Sequence, residues 1–163
     1  MDIATWVIVI AVAVLVAARL DAFAGRMPGD LGVRDGRLKA PSRRPNSVSS
    51  QADLWPDAPQ RDFARIAPLP MHGDARATIA RIARIVEDLP GARIVEQRDD
   101  YLYAQFRSSL LRFVDDVEFW VDPAAGVVHV RSASRIGHGD LGVNRARIEN
   151  LRERMLRDQR PAD

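Results

Sequence analysis

The sequence predicts an α+β fold: a two-layer domain of helix, four-stranded antiparallel meander and helix, preceded by an N-terminal transmembrane helix and a proline-rich segment. Three observations carry this reading. Residues 3–18 are apolar throughout except for Thr5. Six prolines interrupt residues 41–70. From Asp74 a helical period gives way to alternating strands and then returns.

The first element is a membrane anchor over residues 1–24. With Leu20 to Ala24 the apolar run approaches the roughly 20 residues that cross a hydrocarbon core of about 30 Å. It lacks the polar stripe of a surface helix. Ala22-Phe23-Ala24 has the small-x-small form of a cleavage site, but Asp2 stands where a basic leader would be, so the anchor is expected to be retained. Arg19, Arg26, Arg34, Arg37 and Lys39 follow it, and by the positive-inside rule they hold that side in the cytoplasm.

Residues 25–72 show no helix or strand period and are read as a linker and extended proline-rich segment. Within it Trp55, Phe63 and Ile66 are apolar anchors that a bare linker does not need.

The α+β domain occupies residues 73–157, with 158–163 as a tail. Asp74 is the N-cap of a helix with Ile79, Ile82, Val86 and Leu89 on one face, ended by Pro90-Gly91. Four strands follow: 93–97, 101–107, 112–121 and one from Val127 to near Ser134. As a meander they place Phe106 opposite Phe113, Leu102 opposite Val117, Phe119 opposite Val130 and Val121 opposite Val128, all on one face. Glu118 meets Arg131 on the other face. The last helix buries Ile148, Leu151 and Met155.

Composition removes several chemistries. With no cysteine there are no disulfides, thiol nucleophiles or thiolate metal sites. His72, His129 and His138 lack metal-ligand spacing, and no metal or cofactor is implied. Lys39 is the only lysine, so arginine carries nearly all positive charge, and no basic run with interleaved aromatics suggests nucleic acid. Nucleophile-elbow, phosphate-loop, dinucleotide and zincin motifs are missing, and no catalytic residue is assigned.

Two candidate sites remain. Arg131, Ser132, Ser134, Arg135, Asp140, Asn144 and Arg145 join a strand end, a glycine loop and a helix N-terminus, and are read as an anion-binding cluster. Tyr101, Tyr103 and Trp120 on the outward sheet face form a candidate contact face for a protein partner. Asp115 is expected inside, opposite Ser134 and served by Arg135. Asp116 is expected outside.

The segments Arg44 to Ser50, Ile66 to Leu69, Phe113 to Phe119, Val130 to Gly137 and Asp140 to Arg147 resemble one family, the domain-of-unknown-function family numbered fourteen ninety-nine, over about residues 41–156. The resemblance implies an envelope or lumenal protein and pulls the domain toward the periplasm. It brings no activity and no catalytic residue. Many members have cysteine where this chain has Ser47, so no thiol role carries over. The functional expectation is a non-enzymatic envelope module, tethered to the inner membrane, that binds a protein or an anionic envelope component. The alternative is an enzyme that holds a phosphorylated or carboxylated small molecule with the arginine cluster.

Overall fold

The computed structural model describes residues 2–157; the expected tail at 158–163 lies outside them. In order, the elements are α1 (Ile3–Arg19), β1 (Ser47–Ser49), α2 (Arg61–Ala64), β2 (Leu69–Pro70), α3 (Ala75–Glu87), β3 (Ala92–Gln97), β4 (Tyr101–Arg107), β5 (Val114–Asp122), β6 (Val127–Ser134) and α4 (Val143–Arg157). The sheet is antiparallel in the order β1-β6-β5-β4-β3, and β2 also pairs with β6. The meander is thus present, but the sheet has six strands rather than four. The two additional strands are short and come from the segment read as linker.

α1 starts where expected, with Asp2 accepting a bond from the Thr5 amide. It stops at Arg19 because Asp21 takes a left-handed conformation (φ 58°) and the chain turns back, the Asp21 and Ala22 amides bonding to Ala18 and Ala17. At 17 residues it extends about 26 Å at 1.5 Å per residue. No helix among the described residues is long and apolar enough to cross a membrane. The expected anchor over residues 1–24 is therefore a shorter helix plus a turn.

The inner sheet face carries the main core. Leu102, Ala104, Val117, Phe119, Val128 and Val130 are buried beneath Ile79, Ile82 and Val86 of α3 and Ile148, Leu151 and Met155 of α4. Both flanking helices cover this one face, which is the two-layer arrangement the pattern implies.

The register is as read between β5 and β6: Val121 meets Val128, Phe119 meets Val130, Glu118 meets Arg131 and Asp115 meets Ser134. Between β4 and β5 it is displaced by two residues, so that Leu102 faces Phe119 and Ala104 faces Val117. The cause is the connection. Ser108 donates its amide to the Phe113 carbonyl, Ser108 Oγ accepts from the Phe113 amide, and Arg112 is left-handed (φ 59°). The loop therefore runs through Phe113, and β5 begins at Val114. A slip of two leaves every side chain on its expected face.

Residues 26–40 lie across the outer sheet face as a strap. Arg34 and Arg37 exchange backbone hydrogen bonds at 2.9 and 3.0 Å around Asp35-Gly36, both at positive φ, the two-residue hairpin that an Asp-Gly pair favours. Leu38 is buried with Tyr101 and Tyr103, flanked by Leu31, Val33 and Trp120, forming a second small core. The domain thus reaches back well before residue 73.

Candidate functional site

The seven residues of the expected anion cluster separate onto two sheet faces and a helix flank. Strand alternation requires it, since Arg131 and Arg135 point opposite to Ser132 and Ser134.

On the outer face Arg135 holds both oxygens of Asp116, Nε to Oδ2 at 2.9 Å and Nη2 to Oδ1 at 2.7 Å. Tyr103 donates to Asp116 Oδ1 at 2.5 Å. Arg131 is buried beside Glu118, 3.7 Å away at the closest approach, and donates from Nε to the Ala40 carbonyl of the strap. Glu118 accepts from Tyr101 at 2.9 Å and from the Gly32 amide at 2.7 Å. Burial raises the Glu118 carboxyl above its ordinary range, against the pull of Arg131 and those two bonds. Burial likewise lowers Arg131, and it pushes the Tyr103 hydroxyl up to about 12. Asp116 is therefore inside the protein, not outside as expected. The contact face of Tyr101, Tyr103 and Trp120 is taken by the chain's own strap: both tyrosines are buried and Trp120 is half-buried against His129.

On the inner face the polar residues close into a seam between β6 and α4. Asn144 donates from Nδ2 to Ser134 Oγ, the Asn46 carbonyl and Asp140 Oδ2, at 3.0, 3.1 and 2.8 Å. Ser132 donates to Asn144 Oδ1 at 2.5 Å. Asp140 caps α4 by accepting from the Gly142 and Asn144 amides, each at 3.0 Å. Burial pushes the Asp140 carboxyl up, but these bonds outweigh it and hold it below its ordinary value. The helix N-terminus is thus satisfied from within the chain. Arg145 is elsewhere, donating to the Phe63 carbonyl and tying α4 to α2.

Asp115 is on the inner face opposite Ser134, as expected, but its arginine is Arg147 rather than Arg135. Arg147 donates to Asp115 Oδ2 at 2.6 Å, to Ser132 Oγ at 2.9 Å and to Asn144 Oδ1 at 2.8 Å, with its guanidinium 4.6 Å from the Phe106 ring centre. The signal for Arg147 is helical spacing, because it follows Asn144 by three residues and precedes Leu151 by four, on the buried side of α4. Asn46 was also missed. It bonds to the Gly137 carbonyl at 3.1 Å, and its own carbonyl accepts from the Ser134 amide at 3.0 Å.

The Asp115–Arg147 pair forms the floor of an apolar cleft of about 620 Å³ between the end of α3, the β4–β5 loop and the first turns of α4. Leu89, Phe106, Phe113, Val143 and Ala146 line it. This lies in the size range of small-molecule sites. A second cavity of similar volume opens within the strap and beside Trp55, among charges of both signs, where Lys39 pairs with Asp30. His138 is exposed on the glycine loop. Among the described residues no group of three or more His, Asp or Glu side chains is placed to hold a metal ion.

A family model described as "Protein of unknown function (DUF1499)" matches residues 37–155, in agreement with the resemblance carried by the five segments. Those segments contribute to β1, β2, β5, β6 and the start of α4, and β1, β2 and β5 all pair with β6. No curated protein and no solved structure matches the chain.

Proposed function

The chain belongs to the DUF1499 family, and we propose that it is a non-enzymatic binding module held at a membrane surface by α1. One observation carries the tether: every large apolar side chain of α1, from Ile3 and Trp6 to Leu15 and Val16, is exposed. Leaving each in water forgoes about 1.5–3 kcal/mol. The apolar surface continues around the whole helix, so no single protein groove covers it, whereas lipid does. The turn after α1 then attaches the helix to the domain. Asp21 pairs with Arg107 and Arg112, and Phe23 packs at a tilt of 55° against Phe113 with ring centres 5.8 Å apart.

The binding part of the reading rests on the cleft, which begins beside this attachment. The enzyme alternative loses its anion holder, because Arg131 and Arg135 are committed to Glu118 and Asp116.

Flotation of the full chain with liposomes tests the tether. Wild type is expected to rise with the vesicles. Ile8→Asp combined with Val12→Asp is expected to stay behind, since each central charge costs about 2.5–3.5 kcal/mol in an apolar segment. Equal flotation of the two forms overturns the tether.

A further inference from the structure

Two cavities meet at the end of the domain where α1 joins it, and they differ in chemistry. The first is the apolar cleft over Asp115 and Arg147. The second, about 470 Å³, shares Gly91, Arg107, Ser108 and Ser109 with it and adds Arg93 and Arg112. Among the described residues its three arginines are met by one carboxylate, Asp21, which pairs with Arg107 and Arg112. A surplus of positive charge thus stands directly beside an apolar trough.

Exposed apolar side chains stand at and next in sequence to the lining residues. Val143, which lines the trough, is 51% exposed, Leu110, next to the lining Ser109, is 66% exposed, and Leu141, two residues before Val143, is fully exposed at a positive φ of 53°. They belong to the β4–β5 loop, the start of α4 and the glycine loop before it. Phe113 lines the trough and contacts Phe23 of the turn after α1, so the trough is continuous with the tether.

We propose that this paired cavity binds one anionic phospholipid, drawn from the bilayer that holds α1. The acyl chain occupies the apolar cleft between Phe106, Phe113 and Ala146, and the phosphate lies among Arg93, Arg107 and Arg112. The exposed leucines and Val143 enter the lipid interface around it. A free fatty acid fills the trough but offers one carboxylate to three guanidiniums, and a free phosphate leaves the trough in water. Arginine suits the phosphate because its planar fork bonds two oxygens together. This deepens the tethered-module reading and rests on it, since the lipid is supplied by the membrane at α1.

The full chain in neutral detergent, titrated with fluorescent lysophosphatidylglycerol, lysophosphatidylcholine and inorganic phosphate as competitor, tests it. Wild type is expected to bind the anionic lipid at least about tenfold more tightly than the zwitterionic one, with phosphate a poor competitor. Ala146→Phe, which fills the trough from an exposed helix position, is expected to weaken the anionic lipid by about tenfold or more. Val143→Asp on the rim should act in the same direction. Arg93→Gln with Arg112→Gln should remove the preference between headgroups while chain binding remains. Equal affinity of wild type and Ala146→Phe, equal affinity for the two lipids, or full displacement by phosphate overturns the proposal. Flotation of Ala146→Phe is expected to match wild type, so a failure of the tether and a failure of the lipid site register separately.

Discussion

Asp115 and Asp116 are neighbours on β5, point to opposite faces, and are each buried with one arginine, Arg147 and Arg135 respectively. Removing either carboxylate leaves a guanidinium without its counter-charge, and breaking such a pair costs about 3–5 kcal/mol. Asp115→Ala and Asp116→Ala are both expected to lower stability by that order, read from denaturant melts of the full chain. The sequence places Asp115 correctly by alternation. It misplaces Asp116 in the solvent because alternation says which face a residue is on, not whether another segment covers that face. His129 illustrates the same burial in its titration. Its ring is stacked on Trp120 and bonded to Ser50, and burial lowers its pKa below the ordinary 6.5. The unfolded chain then binds the proton more readily, so stability should fall as pH drops through and below 6.5. His129→Gln is expected to flatten that slope in melts compared between about pH 7 and pH 5.

At the level of elements, periodicity located α3, α4 and the four long strands, because each has a face that must be buried and a period that displays it. It did not locate β1 or β2. Strands of three and two residues show no period, and Ser47 and Ser49 are polar yet buried. The strap was legible in one place, the Asp35-Gly36 dipeptide with Leu31 and Val33 before it and Leu38 and Ala40 after it, a hairpin signal that the proline-rich composition of the segment outweighed. The two-residue displacement of β5 came from the loop, where the left-handed Arg112 carries no glycine or asparagine to announce it. The strap is nevertheless part of the fold: Leu38 is 1% exposed, and its amide donates to Gln51 Oε1 at 2.8 Å. Leu38→Ala is expected to cost about 2–5 kcal/mol in denaturant melts, the range of a buried leucine, and to raise Tyr101 and Tyr103 accessibility to nitration. A neutral result would mean that the strap rests on the sheet without contributing to its stability.

For the whole molecule, the candidate site was half legible. The residues Ser132, Ser134, Asp140 and Asn144 do come together, but to brace α4 against β6 rather than to hold an anion. The cleft beside the tether was not legible at all, because it is lined by residues of β4, β5 and α4 and of two connecting loops, whose meeting depends on tertiary packing. Which side of the membrane the domain occupies is a proposal at this scale. The family resemblance favours the periplasm and the arginines after α1 favour the cytoplasm. We propose the periplasm, and alkaline phosphatase fused after Asp163 is expected to be active. Fluorescence from a reporter that matures only in the cytoplasm would reverse the assignment.

The outermost row of the sheet beside β6 has a further consequence, for self-association. β1 covers β6 at residues 131–133 and β2 covers it at 127–128, so two scraps of chain occupy what would otherwise be an open rank of amides and carbonyls. The opposite margin, β3, is protected differently: its pairing is interrupted between Ile94 and Glu96, and Arg93, Glu96 and Arg98 line it with charge. A chain cut at residue 73 keeps the central four-stranded meander but strips β6 bare. Such an edge recruits strands from other molecules. The shortened protein is expected to elute as oligomers or to form thioflavin-positive aggregates, whereas a chain begun at residue 26, with strap, β1 and β2 intact, is expected to remain a monomer.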